Sequence, residues 1–224
     1  MSLTSPIWLD PLPIEIPEEI SQSIDGHPVL LEALVRRGIH TAEAAQAFLD
    51  PGSYSPASPQ ALPDLERAVE RIEKAIQNDE IIGVWGDFDA DGQTSTALLT
   101  DALQRLGART TFYIPLRATE SHGIKLPGLS KFLDQGVNLL LTCDTGVSEY
   151  ESVQYAAERN VDTIITDHHT LPEELPEAYA VINSQRMPEG HPLHPLCGVG
   201  VAYKLIEALF QRSGLPGAAE AYLD

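Results

Sequence analysis

Asp87, Asp89 and Asp91 occupy alternate positions in Val84-Trp85-Gly86-Asp87-Phe88-Asp89-Ala90-Asp91-Gly92-Gln93-Thr94-Ser95-Thr96. An apolar run, Ile81 to Val84, precedes them and reads as a buried strand; a helix-forming stretch, Ser95 to Leu106, follows. Three carboxylates on a strand-to-helix turn repel one another unless cations or protons neutralise them. The turn therefore calls for metal. The blander alternative is an acidic turn with a helix N-cap. An EF-hand loop fits poorly, because Gly92 follows directly on the third Asp and Leu98 stands where a bidentate Glu is needed.

From Ile81 onward the pattern alternates short apolar strands with helices. Strands are expected at Ile81 to Gly86, Thr110 to Ile114, Leu139 to Cys143, Thr163 to Thr166 and Tyr179 to Ile182, with helices near 93–106, 127–135, 148–159 and 199–212. This is an α/β pattern: a mostly parallel five-stranded sheet with helices on both faces. Ahead of it lies a small helical segment: a Pro-rich lead-in over 1–26, helical patterns at Pro28 to Arg37 and Thr41 to Phe48, and an irregular connector from Asp50 to Pro63. Asp64 is expected to cap a helix running to Gln77, which sets a boundary between a lead-in of 1–63 and a domain of 64–224.

In a parallel sheet the ligand site lies beyond the carboxyl ends of the strands. Three strands here deliver polar groups to that edge. The first ends in Asp87, Asp89 and Asp91, the third in Cys143-Asp144-Thr145-Gly146, the fourth in Asp167-His168-His169. Any one Asp would serve as an N-cap; three strands converging, with two histidines among them, argue for a shared site. Carboxylates with imidazole suit Mn²⁺ or Mg²⁺. A carboxylate between two neighbours would bridge a pair of ions about 3.5–4 Å apart, the arrangement used in phosphoryl displacement.

Charge bears on the partner. Lys and Arg number 14 against 33 Asp and Glu, a net −19, spread over both halves of the chain. Such a surface repels phosphate polymers unless bound cations or another domain reverse the field. No apolar run reaches membrane length and the N-terminus has no leader pattern, so a soluble cytoplasmic protein is expected. Cys143 and Cys197 lack a paired spacing and read as reduced core thiols.

Gly86-Asp87-Phe88-Asp89-Ala90-Asp91-Gly92, the Cys143-Asp144-Thr145-Gly146 strand end and Asp167-His168-His169 together resemble the first three motifs of the DHH phosphoesterases. Leu196-Cys197-Gly198-Val199-Gly200-Val201-Ala202-Tyr203-Lys204-Leu205 resembles the glycine-containing segment of the RecJ branch, as do Leu34-Val35-Arg36-Arg37-Gly38-Ile39 and Phe48-Leu49-Asp50-Pro51 in the lead-in. The resemblance implies a 5′ to 3′ exonuclease on single-stranded DNA, in recombination and repair, working with two Mn²⁺ or Mg²⁺ ions. It makes Asp89, Asp91, Asp144 and His168 metal ligands, with Asp144 the bridge, and Asp87 a ligand or a carboxylate behind the ligands. His169 would face the scissile phosphate or support the cluster, and Asp167 would orient a histidine through its other ring nitrogen. The amides at Gly198 and Gly200 would receive a phosphate oxygen, with tight helix–sheet packing as the alternative. Arg117 and Lys204 would touch phosphates, or else pair with surface carboxylates. His122 stands where a Tyr is common in relatives, which leaves its part undefined.

Members of the family carry a further ligating Asp after the glycine segment and then a C-terminal substrate-binding domain. Asp224 resembles a residue just upstream of that ligand, so a monomeric fragment with weak metal binding and little processive activity is expected. A phosphodiesterase for short oligonucleotides or cyclic dinucleotides is the alternative within enzymes. A non-catalytic replication scaffold is the alternative outside them; the acids and histidines retained in the motifs argue against it.

Overall fold

The computed structural model describes residue 9 and residues 11–223. The reading of Asp224, and part of that of the lead-in, lie outside the described residues. The chain forms two compact units, Met1–Pro56 and Ala57–Asp224.

The first unit holds three helices, α1 (Glu18–Ser23), α2 (Pro28–Arg36) and α3 (Ala42–Leu49). The ring of His27 accepts the Val29 amide to cap α2, and the Thr41 hydroxyl accepts the Ala44 amide to cap α3. Ile20, Leu31 and Val35 form its small core.

The second unit begins with a 3₁₀ turn, Pro59–Ala61, and then α4 (Leu65–Gln77). The unit starts seven residues before the expected boundary because Leu62 and Ala57 pack into its core ahead of α4. Asp64 does not cap α4 with its side chain: it adopts φ 60° and its carboxylate accepts the Val181 amide and pairs with Arg186 at 2.7 Å.

Beyond α4 the elements alternate as β1 (Ile81–Trp85), α5 (Ala90–Arg105), β2 (Arg109–Tyr113), α6 (Leu126–Leu133), β3 (Val137–Cys143), α7 (Tyr150–Glu158), β4 (Asp162–Asp167), β5 (Ala180–Asn183) and α8 (Gly198–Arg212). All strand pairings are parallel, in the order β2-β1-β3-β4-β5. Helix α5 starts earlier than residue 93 because Asp89 itself caps it, accepting the Gly92 amide at 3.0 Å.

Strand side chains alternate between two cores, as a sheet buried on both faces requires. Leu139, Leu141 and Cys143 join α4, α5 and α8 on one face, whereas Leu140 and Trp85 join Leu129 and Phe132 of α6 on the other. Trp85 is fully buried and stacks on Tyr113 with ring centroids 4.3 Å apart. Among the described residues no helix is long and apolar enough to cross a membrane.

Candidate metal centre

Strand order β2-β1-β3 places the reversal of winding between β1 and β3, the crevice where such sheets bind ligands. The chain leaves β1 through Gly86 and turns so tightly into α5 that a Cβ on Gly92 would lie 2.6 Å from the Asp87 backbone. This glycine is what lets the three-aspartate turn fold over the strand end.

Asp144 lies next to that turn, at the end of β3. Its backbone is left-handed, φ 59°, a conformation costly for a residue with a side chain and characteristic of functional sites. Its carboxylate is buried, and Oδ1 makes no hydrogen bond. His168 Nε2 stands 3.0 Å from that oxygen and 3.6 Å from Asp91 Oδ2. The first contact is close without hydrogen-bond alignment. Burial pushes the Asp144 carboxyl up to about 8, with the charges of Asp91 and Asp89 adding to the effect. Asp89 is held below its ordinary value, chiefly by the Gly92 amide, with Asp144 and the Asp91 amide also lowering it against burial.

The Asp167-His168-His169 segment supplies the third side. Asp167 is almost fully buried yet satisfied on both oxygens: Oδ1 accepts the amides of His168 and His169 and the His169 ring Nδ1 at 2.7 Å, and Oδ2 accepts the Val147 amide. Burial works to raise this carboxyl, but the His169 ring and these amides outweigh it and hold it below the ordinary value. His169 is pushed up to about 9, above all by its bond to Asp167, and so carries a proton at neutral pH. Ligand atoms of Asp144, His168 and His169 lie within 4.8 Å of one another.

These residues fit a divalent cation. Two neighbouring ligands of one small ion, each about 2.1 Å from it, lie about 3 Å apart, the His168–Asp144 spacing. Among the described residues neither Lys nor Arg pairs with Asp87, Asp89, Asp91, Asp144 or Asp167, so like charges are left facing one another.

The structure thus brings together Asp89, Asp91, Asp144, His168 and His169, with Asp167 behind His169. Asp87 is set to one side, where its Oδ2 lies 2.8 Å from His122 Nδ1 and its Oδ1 accepts the Phe88 amide. His122, whose part the sequence left undefined, stacks against Phe88 at 4.2 Å, and Arg117 lies over the same ring at 5.4 Å. Both reach the site from the loop after β2. A cleft of about 410 Å³, lined by Asp87, His122, Asp144, Gly146, Asp167 and His169 among others, opens here; Arg117 is not part of its lining.

Three expectations are corrected. The Gly198 amide is not free for phosphate: it donates to Asp91 Oδ2 and the Val199 amide to Oδ1, each at 2.7 Å, so Asp91 caps α8. Gly198 instead makes room, since a Cβ there would lie 2.5 Å from Asp144 Oδ1, and Gly200 packs against Leu196. Lys204 is buried, its ammonium held by the Ala57 carbonyl at 2.9 Å and Glu207 at 2.8 Å, because it closes the start of the unit onto α8. Cys143 is a core thiol, but Cys197 is exposed, in the N-cap position of α8 where the side chain meets no core.

The fold and the acid–histidine centre define a class, and comparison with known proteins agrees: residues 81–224 match the model of the DHH family, N-terminal domain, and the chain belongs to that family. RecJ proteins are among its relatives. It is 36% identical to the single-stranded-DNA-specific exonuclease RecJ of Bacillus subtilis over 86% of this chain and 24% of the relative, and 37% identical to that of Haemophilus influenzae over 90% and 35%. Among solved structures it resembles a manganese-bound exonuclease RecJ (TM-score 0.67, 34% identity, 73% of this chain, 41% of the other). It also resembles RecJ of Thermus thermophilus in complex with Mn²⁺ (TM-score 0.72, 30% identity, 89% and 28%). The chain spans about a quarter to a third of the length of the curated relatives it matches.

Proposed function

We propose that this chain carries the catalytic centre of a Mn²⁺- or Mg²⁺-dependent phosphodiesterase that removes nucleotides from the 5′ end of single-stranded DNA. The observation that carries the reading is Asp144: a buried, strained carboxylate with an orphaned oxygen, facing Asp89, Asp91 and His168. The 5′ polarity and the use of two ions follow from the likeness to RecJ proteins.

Asp89, Asp91, Asp144 and His168 would hold the cations, with Asp144 shared and Asp87 behind them. Bound there, the ions supply Lewis acidity and an activated water at neutral pH. The protein's own groups do the rest. The His169 imidazolium, fixed through Nδ1 by Asp167, offers its other nitrogen as a charged donor to a phosphate oxygen. His122, held by Asp87 and Phe88, and Arg117 over Phe88 border the approach to the cleft. The net charge of −19 makes cations, and in a longer protein further domains, necessary for gripping a polyanion.

The test is digestion of single strands labelled at either end, and of a dinucleotide, with and without Mn²⁺. Mn²⁺-dependent loss of the 5′ label from long single strands, abolished in Asp144→Asn, is the expected result. Cleavage of the dinucleotide alone would move the assignment to the short-oligonucleotide branch of the family, and metal-independent cleavage would remove it altogether.

A further inference from the structure

The turn between β3 and α7 contributes six consecutive residues, Asp144 to Glu149, to the wall of the cleft. Its backbone donors can be counted one by one. The Asp144 amide continues the sheet to the Thr166 carbonyl at 3.0 Å, the Val147 amide goes to Asp167 Oδ2 at 3.0 Å, and the Glu149 amide closes the turn onto the Gly146 carbonyl at 3.0 Å. Among the described residues, the amides of Thr145, Gly146 and Ser148 meet no protein acceptor. Thr145 and Gly146 are buried, and Ser148 lies at the exposed rim.

Buried backbone N–H groups are nearly always paired, so donors left over beside a cleft are served by what enters it. The peptides that carry them are fixed. Thr142 Oγ1 donates to the Thr145 carbonyl at 2.7 Å, and Gly146, at φ 121°, has Thr142 Oγ1 2.6 Å from where a Cβ would be. A side chain at Gly146 would run into Thr142 and Ile165, so glycine keeps this peptide seated against the strands. Of the two amides expected to face phosphate, at Gly198 and Gly200, the first is already taken by Asp91, which also accepts the Val199 amide. Glu149 also faces this turn, where burial raises its carboxyl and the Ile124 amide works to lower it.

We propose that the Thr145, Gly146 and Ser148 amides form a cradle that receives a non-bridging oxygen of the nucleotide phosphate. The proposal rests on the phosphodiesterase reading of the same site and adds which groups hold the phosphate. Neutral donors suit this wall, because they grip an anion without competing with the cations that the acids beside them require.

The direct test is through-hydrogen-bond ¹⁵N–³¹P coupling in the ¹⁵N-labelled protein with 5′-phosphorylated thymidine dinucleotide and Mg²⁺. Couplings and downfield amide shifts are expected at Thr145, Gly146 and Ser148, with Gly198 and Val199 unmoved. Ser148→Pro, which removes one donor at the rim, should weaken dinucleotide binding roughly tenfold while far-ultraviolet circular dichroism stays as in the wild type. Couplings at Gly198 or Val199 instead, a bound dinucleotide with none at the turn, or unchanged affinity in a folded Ser148→Pro would overturn the cradle. No binding at all would overturn it too; Mn²⁺-dependent cleavage of long strands by the same preparation would then show the phosphodiesterase reading standing without it.

Discussion

Both edges of the sheet gather acids, and they treat them in opposite ways. At the edge where β1 and β4 begin, Glu80 and Asp162 converge on Arg71, whose side chain is only 9% exposed; Nε lies 2.6 Å from Asp162 and Nη1 2.8 Å from Glu80, the latter an ion pair without hydrogen-bond alignment. At the opposite edge, where β1, β3 and β4 end, Asp89, Asp91 and Asp144 meet imidazoles and one another but, among the described residues, no guanidinium or ammonium. A carboxylate that serves the fold is given a permanent counter-charge. One left facing its own kind destabilises the fold, and the cost is removed when a divalent ion arrives.

The contrast breaks most sharply at Asp144. Asp144→Asn should lower Mn²⁺ affinity by at least about a hundredfold and abolish metal-dependent cleavage, as titration calorimetry and strand digestion would show. In the metal-free protein the same change should stabilise. The Asp144 carboxyl stands at about 8 in the folded chain against its ordinary 3.8, so the folded state binds the proton more tightly than the unfolded one. Stability is therefore lost as pH rises from about 4 towards about 8. Urea denaturation in chelator at pH 5 and pH 8 should show a wild-type decline that is smaller in Asp144→Asn and reversed by Mn²⁺. Parallel pH profiles for the two proteins would mean that the two edges do not differ as described.

Arg71→Ala tests the other edge and should do the reverse. Removing the guanidinium leaves Glu80 and Asp162 without their partner; with those side chains 20% and 47% exposed, the loss should be about 2 kcal/mol rather than the larger cost of a fully buried pair. Denaturant midpoints measure it. Metal affinity should stay as in the wild type, since Arg71 sits at the far end of the strands. A fall in metal affinity beyond what destabilisation explains would tie the two edges together.

How much of this was legible in the sequence follows the same division. The strands at 81–85, 137–143 and 162–167 announce themselves by apolar runs, and each leads into acids or histidines. The rule that parallel strands present their carboxyl ends together then brings Asp89, Asp144 and His168 to one place before any coordinates are seen. Contacts made by backbone amides leave no such mark. Asp91 and Gly198 are 107 residues apart, and nothing in either local sequence says that one caps the helix opened by the other. Helix N-terminal glycines read as a phosphate site because their amides are orphaned until a partner is known. Lys204 left two readings open for a related reason: a lone cation in an acidic chain suits a phosphate or a carboxylate, and the fold takes the second, pairing it with Glu207 and the Ala57 carbonyl. His122 had no decisive signal, because its partner Asp87 lies 35 residues away across the crevice.

Asp91 belongs to both kinds of region at once, which makes its substitution the finest test. Its carboxylate caps α8 through two amides and also lies 3.6 Å from His168. Asp91→Asn keeps one acceptor oxygen and gives up the other, a cost of about 1 kcal/mol. It also removes the charge that, after burial, does most to raise Asp144. At pH 5 Asp144 is protonated, repulsion is absent and the lost cap should appear in full. At pH 8 Asp144 is about half ionised in the wild type, so relief from the neighbouring charge should offset part of the loss. The stability difference between Asp91→Asn and wild type in chelator should therefore shrink as pH rises from 5 to 8. A difference that is constant across that range would make Asp91 a helix cap alone, electrically separate from Asp144, and would narrow the metal-dependent edge to Asp89, Asp144 and the histidines.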